Sequence, residues 1–246
     1  MKQAKVRLYV EHALGEGQTV PLTRDQAHYL FGVMRLGPEA ELLLFNGRNG
    51  EWLATVAEAG KRGGCLLCHR QTRPLQCPPD LWLLFAPIRK ARTDFMVEKA
   101  AEMGVARILP VKSAHTNAER IRRDRLQAHA IEAAEQCGGT FVPPVGELRP
   151  LERVLAEWPE DRLIMFCDET LAGARAGLGA AVRGKGGQGG KWAILIGPEG
   201  GFSPAERARL HALPFACPVS LGPRILRADT AAVAAMTLWQ STLGDW

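Results

Sequence analysis

The chain has 246 residues, 46% of them hydrophobic and 23% charged, with a formal net charge of +5. That is enough apolar material for one or two packed domains, and it excludes a disordered chain. No apolar run approaches the roughly 20 residues that cross a bilayer, and the modest positive charge leaves a polyanionic partner open.

The N-terminal stretch "MKQAKVRLYV" enters strand-like alternation directly, with no apolar leader core, so a cytoplasmic protein with reduced cysteines is expected. "VRLYV", "ELLLFNG", "EWLATVAE" and "GGCLLCHR" read as strands, and "NGRNG" reads as a hairpin turn between two of them. "TRDQAHYLFGVMR" reads as a helix capped by Thr23, with Ala27, Leu30, Phe31 and Met34 on one apolar face. Strands plus one helix suggest a small barrel over residues 1–75. Cys65, Cys68 and His69 spell C-x-x-C-H, with Cys77 nearby. On a strand, positions three apart face opposite sides, and no second cysteine pair follows at zinc-ligand spacing, so ordinary thiols and no metal are expected. Pro74, Pro78 and Pro79 then punctuate the chain, and the domain boundary is placed there.

From Leu81 the rhythm changes. "LWLLFAPI", "ARILPV", "RLIMFCDE", "KWAILIG" and "PFACPVSLG" read as strands. Between and after them, "TDFMVEKAAEMG", "NAERIRRDRLQAHAIEAAEQCG", "SPAERARLHAL" and "ADTAAVAAMTLWQSTL" read as helices, and the Gly-rich stretch 171–190 as a loop. This alternation predicts an α/β domain over 76–246 with a largely parallel sheet. Ligands of such sheets sit beyond the C-terminal ends of the strands.

Two Gly-Pro turns fall at such ends. In "ILIGPEGGFSPAE", Gly197 permits close backbone approach and Pro198 ends the strand. Gly200 and Gly201 keep side chains out of the turn, and Ser203-Pro204-Ala205-Glu206 is a capping box with proline at the first helical position. In "SLGPRILRADTAA", Gly222 and Pro223 break the next strand, Arg224 and Arg227 bring charge, and Asp229 falls in the first turn of the last helix. Neither turn has phosphate-loop or dinucleotide spacing. A tight strand-to-helix connection accounts for either alone. Together they can enclose a flat polar ligand with backbone groups.

"IGPEGGFSPAE" and "LGPRILRADTA" closely resemble the two signature segments of the bacterial 16S ribosomal RNA (uracil-N3) methyltransferases, the RsmE family of the knotted SPOUT superfamily. "FMVEKAAEMGVARILPV" and "AIEAAEQCGG" extend the resemblance over essentially the whole chain. The resemblance implies a PUA-like RNA-binding barrel followed by a methyltransferase domain with a trefoil knot. It implies a homodimer, and S-adenosyl-L-methionine bound by Ile196, Gly197, Pro198, Glu199, Gly200, Gly201, Ser220, Leu221, Gly222, Ile225, Leu226 and Arg227. It also implies a 16S rRNA uridine as substrate, in the small subunit. Two positions depart from the family pattern: Ala228-Asp229 stands where Thr-Glu is usual, and Gly139 where Arg is usual.

Methylation at uracil N3 requires loss of the N3 proton. Arg227 is the expected cation for the resulting anion, and Glu199 or Asp229 the proton acceptor or the group that orients Arg227. RNA contacts are expected from Arg89, Lys90 and Arg92, from Arg122 beside Arg125 on one helix side, and from Arg7, Arg24 and Arg35 in the barrel. A non-catalytic RNA-binding module, a nicotinamide enzyme, and a methyltransferase of the same class acting on tRNA or 23S RNA, which only the family resemblance disfavours, are the rival readings. The intact glycines of both turns disfavour the first, and the missing dinucleotide spacing disfavours the second.

Overall fold

The computed structural model describes residues 6–60, 62–173, 177–179 and 190–246. Most of the Gly-rich stretch expected as a loop over 171–190 lies outside the described residues. The chain divides into two compact units, Met1–Cys77 with Ala134–Val142, and Pro78–Ala133 with Pro143–Trp246. A single break near residue 75 does not contain that return of 134–142. Among the described residues, no helix is long and apolar enough to cross a membrane.

The first unit is built on strands β1 (Arg7–Tyr9), β2 (Thr19–Pro21), β3 (Glu41–Phe45), β4 (Glu51–Ala59) and β5 (Gly64–Arg73), in the order β1-β3-β4-β5-β2. β1 runs parallel to β3 and the other pairs are antiparallel. Alternate residues such as Leu42, Leu44, Ala54, Val56 and Leu66 fill its core. Three register shifts between β4 and β5 bend the ladder. The small barrel expected from the sequence is a curled five-stranded sheet, with β1 and β2 at its edges rather than paired together. The "NGRNG" hairpin forms as expected. The Asn46 side chain accepts from the backbone N–H groups of Arg48 and Asn49, and a side chain on Gly50 would lie 2.3 Å from the Arg73 carbonyl.

The helix of this unit differs from its expectation. α1 (Arg24–Ala27), capped by Thr23 and Gln26, passes directly into a π-helical segment, His28–Val33. The wider turn shifts the apolar face: Ala27 and Leu30 are buried, whereas Met34 lies past the helix and is 40% exposed. Cys68 is buried in the sheet core, Cys65 is partly exposed, and the exposed His69 ring bonds the Thr55 hydroxyl at 2.8 Å.

A buried carboxylate ties the unit together. Glu51 takes hydrogen bonds from Arg7 Nε (2.6 Å), Arg73 (2.5 Å) and the Thr72 hydroxyl (2.9 Å). Burial pushes the Glu51 carboxyl up, but the bonds from Arg73, Arg7 and Thr72 outweigh it and hold the group down at about 2. Arg7 also donates to the carbonyls of Ala134 and Gly139, and Arg73 to that of Gly138. This is what attaches the 134–142 segment.

The second unit carries β6 (Leu81–Phe85), α2 (Lys90–Glu102), β7 (Arg107–Lys112), α3 (Arg123–Cys137), β8 (Arg149–Pro150), α4 (Leu151–Ala156), β9 (Arg162–Cys167), β10 (Lys191–Ile196), α5 (Pro204–Ala212), β11 (Ala216–Val219) and α6 (Ala228–Leu243). α3 ends within the return segment 134–142. All strand pairs are parallel, in the order β11-β9-β10-β6-β7-β8. Buried runs such as "LWLLF" and "AILI" suit strands covered on both faces. α3 starts six residues later than the expected helix, which began at Asn117. Thr116 folds back on Ser113, and Lys112 pairs with Glu119, so the chain here is held outside a helix. Arg122 therefore precedes α3 instead of sharing a helical side with Arg125.

The chain passes from β9 to β10 on one side of β9 and then to β11 on the other. Parallel strands put their C-terminal ends on one edge, so the residues after β9, β10 and β11 meet where the strand order reverses. This is the position at which an open parallel sheet forms a binding crevice.

Candidate active site

The loop after β10 is shaped by contacts that only glycine allows. A side chain on Gly197 would lie 2.9 Å from the Phe202 ring. Gly201 has φ +66°, and a side chain there would lie 2.2 Å from the Glu169 carboxylate. The loop runs into α5 through the expected capping box, in which Ser203 bonds the Glu206 N–H and Glu206 bonds the Ser203 N–H. The loop after β11 turns at Gly222, φ +113°, and leads to Arg227, which caps α6 with its backbone.

A third loop, after β9, completes the crevice. The Asp168 carboxylate is fully buried. It accepts from the Thr170 N–H and hydroxyl, lies 2.8 Å from His211 Nε2 and 3.3 Å from Arg207 Nε. Burial pushes this carboxyl up, but His211, Thr170 and Arg207 more than offset it and hold it below its ordinary value. Arg207 also pairs with Glu169 at 2.7 Å. His211 and Arg207 both belong to α5, so the helix that follows the Gly-rich loop is fastened to the end of β9. Beside Asp168, burial raises the Cys167 thiol to about 12, leaving it neutral.

These loops enclose a cavity of about 250 Å³. Of the residues expected to hold a cofactor, Ile196, Gly197, Pro198, Glu199 and Gly201 line it from the β10 side. Leu221, Gly222, Ile225, Leu226 and Arg227 line it from the β11 side. Gly200 and Ser220 do not. The Gly200 carbonyl lies 2.9 Å from the His115 ring, in the loop after β7, and the Ser220 hydroxyl accepts from the Gly222 N–H within its own loop. Cys167, Asp168 and Glu169 line the cavity as well and were missed from the sequence. The available signal was their position at a strand end, in "RLIMFCDE". The lining is largely apolar, with carboxylates at one side and glycines where a Cβ would intrude. It fits a flat, part-apolar ligand with a charged polar end.

A second cavity, of about 600 Å³, adjoins it. It opens beyond the end of β6, between Pro87, Ile88, Arg89 and Arg92 on one side and Asn117 and Ala118 on the other. Its remaining lining residues are Glu199 and Arg227, and these two are also the residues it shares with the first cavity. Asn117 and Ala118 had no sequence signal, because the stretch reads as helix.

The other expected contacts divide clearly. Arg89 and Arg92 line the second cavity, while Lys90 is exposed at the start of α2 outside the lining. Arg24, Arg35 and Arg122 are exposed. Arg7 differs from these: its side chain is 12% exposed and its guanidinium is taken up by Glu51 and backbone carbonyls. Arg125 is paired with the buried Asp94. Asp229 lines neither cavity. Its carboxylate lies 3.7 Å from Arg92 Nε and so addresses Arg92 rather than Arg227.

Comparison with known proteins places this arrangement. Residues 75–240 match the RNA methyltransferase domain family, and residues 22–66 match the RNA methyltransferase PUA domain family. With the all-parallel sheet and its crevice, these matches define an RNA methyltransferase of the SPOUT class. A ribosomal RNA small subunit methyltransferase E of Synechocystis is 30% identical over 89% of this chain and 71% of its own, and that of Rickettsia conorii is 27% identical over 94% and 93%. The crystal structure of the enzyme of that name from Neisseria gonorrhoeae, bound to S-adenosyl methionine, superposes with a TM-score of 0.86 at 28% identity, covering 98% of this chain and 99% of that one. The chain belongs to the ribosomal RNA small subunit methyltransferase E family.

Proposed function

We propose that the protein transfers a methyl group from S-adenosyl-L-methionine to N3 of one uridine in the 16S rRNA of the small ribosomal subunit. The observation that carries this reading is the shared wall: two adjoining cavities meet at Glu199 and Arg227. A transfer enzyme needs its donor and acceptor to meet at one place, and the groups at that place should serve the reaction.

The first cavity takes the cofactor, whose sulfonium supplies an electrophilic methyl group when bound. Ile196, Leu221 and Leu226 would offer its base apolar contact, the glycines would let the backbone approach it closely, and Asp168 and Glu169 would supply negative charge at the cavity side. The second cavity takes the uracil, turned out of its stack. Arg227 stabilises the negative charge that develops on the ring as the N3 proton leaves. Glu199, exposed on the shared wall, accepts that proton or orients Arg227. Phosphate contacts come from the exposed Lys90, Arg122, Arg24 and Arg35, with Arg89 at the cavity mouth. A homodimer, a cytoplasmic location and the knotted threading of the second unit belong to the same proposal and rest on the family resemblance.

The test is incorporation of labelled methyl groups into small subunits that lack the modification, with the product nucleoside identified. A single 3-methyluridine in 16S rRNA is expected. Cofactor binding without incorporation, or methylation of another base, would contradict the reading.

A further inference from the structure

Cytidine poses a problem for an enzyme that methylates N3 of uridine. Its N3 carries a lone pair and no proton, so it needs no base to accept a methyl group. Reactivity at N3 therefore favours the wrong pyrimidine, and rejection must come from how the ring edge is held. Beside N3 the two rings differ in one group: uracil presents the O4 acceptor, cytosine an amino donor.

The second cavity has the lining for that distinction. Its charged and polar side chains are Arg89, Arg92, Asn117, Glu199 and Arg227. Glu199, the acceptor-only group among them, stands on the wall shared with the cofactor cavity, where N3 must lie. Away from that wall, Arg89 and Arg92 offer donors only. Arg89 is exposed and caps α2 with its backbone. Arg92 is steadied: its Nε faces the Asp229 carboxylate at 3.7 Å, with the two side chains 31% and 20% exposed. Among the described residues its terminal nitrogens have no other partner, which leaves them for the cavity that Arg92 lines.

We propose that Arg92, positioned by Asp229, selects uracil over cytosine by donating to O4. The inference rests on the uridine-N3 reading above. A cytosine amino group at the same place would meet guanidinium N–H groups, donor against donor, and both would lose water without gaining a partner. Asp229 acts through Arg92 as a positioning residue, which is why it lines neither cavity.

The test uses small subunits carrying either uridine or cytidine at the methylated position, with 3-methyluridine and 3-methylcytidine counted under single-turnover conditions. The unaltered enzyme is expected to form only the first. Arg92→Gln puts an amide carbonyl, which a cytosine amino group can meet, where only donors stood, and should lower the uridine-to-cytidine ratio by roughly ten- to a hundredfold. Asp229→Asn should move the ratio in the same direction by less. Melting temperature and cofactor affinity should hold in Arg92→Gln, because Arg92 is partly exposed and does not line the cofactor cavity. If that variant turns over too slowly to score, competition between uridine- and cytidine-bearing subunits for the cofactor-loaded protein should show the same loss of preference. An unchanged ratio or preference overturns the inference and leaves the uridine-N3 reading standing. An unaltered enzyme that forms no 3-methyluridine overturns both.

Discussion

Two arginine–carboxylate groups, one in each unit, use the same chemistry for opposite ends. In the first unit Glu51 is 3% exposed and lies between Arg7 and Arg73, which also donate to the backbone carbonyls of Ala134, Gly138 and Gly139. In the second unit Arg227, Arg89 and Glu199 face cavities, and Arg92 has a single carboxylate partner at 3.7 Å. The first group is largely paired within itself and with backbone carbonyls, so its charges hold the fold. The second is left unsaturated, so its charges are available to a ligand. Net charge does not distinguish them; the count of partners does.

Breaking each group separates the two roles. The largest effect is expected from Arg227→Ala, which should reduce methyl transfer by about 10²–10³-fold at saturating cofactor, with a melting temperature within a degree or so of the unaltered protein. Glu51→Gln should do the reverse. Leaving two guanidinium groups without their buried partner costs about 3 kcal/mol, read in a denaturant titration, while transfer per folded molecule stays unchanged. The same carboxylate sets an acid limit. Its folded value of about 2 lies below its ordinary 4.5, so its contribution is complete above the ordinary value and disappears as pH falls from about 4.5 towards 2. In Glu51→Gln that part of the acid-unfolding curve should flatten.

Smaller changes sharpen the picture of the cofactor side. Gly201→Ala sets a methyl group 2.2 Å from the Glu169 carboxylate at φ +66°. It should cost about 1 kcal/mol or more in stability and weaken cofactor binding several-fold, measured by calorimetry. His211→Ala removes one bond to Asp168 from a side chain that is 41% exposed. A loss of about 1 kcal/mol or less is expected, seen as a small drop in melting temperature and a slight weakening of cofactor affinity through α5.

Much of this was legible in the sequence where local rules act alone. The Ser203–Glu206 capping box, the "NGRNG" hairpin and the closing helix Ala228–Leu243 depend on neighbouring residues, and they appear where their signals stand. The two Gly-Pro loops were legible because glycine and proline carry backbone requirements in their identity. What was not legible depends on distant partners. Arg7 reads as a surface cation until Glu51 and the 134–142 carbonyls close around it, 44 or more positions along the chain. Asn117 is a different case: the contacts that hold its stretch outside a helix, Thr116 on Ser113 and Lys112 with Glu119, are local, but the run of charged residues after it reads as helix. Asp168 has an ordinary position after a strand, and its burial follows from how β9 sits between β10 and β11. The departure at Gly139 also gains a physical setting: its carbonyl receives Arg7, and nothing but Cys137 Sγ and the Phe141 carbonyl lies within 4 Å of a Cβ there.

The most direct measurement is a crossed comparison of Arg7→Ala and Arg227→Ala, each assayed for melting temperature and for single-turnover methyl transfer per folded molecule. The account predicts that Arg7→Ala loses stability and keeps its rate, and that Arg227→Ala keeps its stability and loses its rate. An Arg7→Ala protein that melts normally but transfers poorly, or an Arg227→Ala protein that transfers normally, would contradict it.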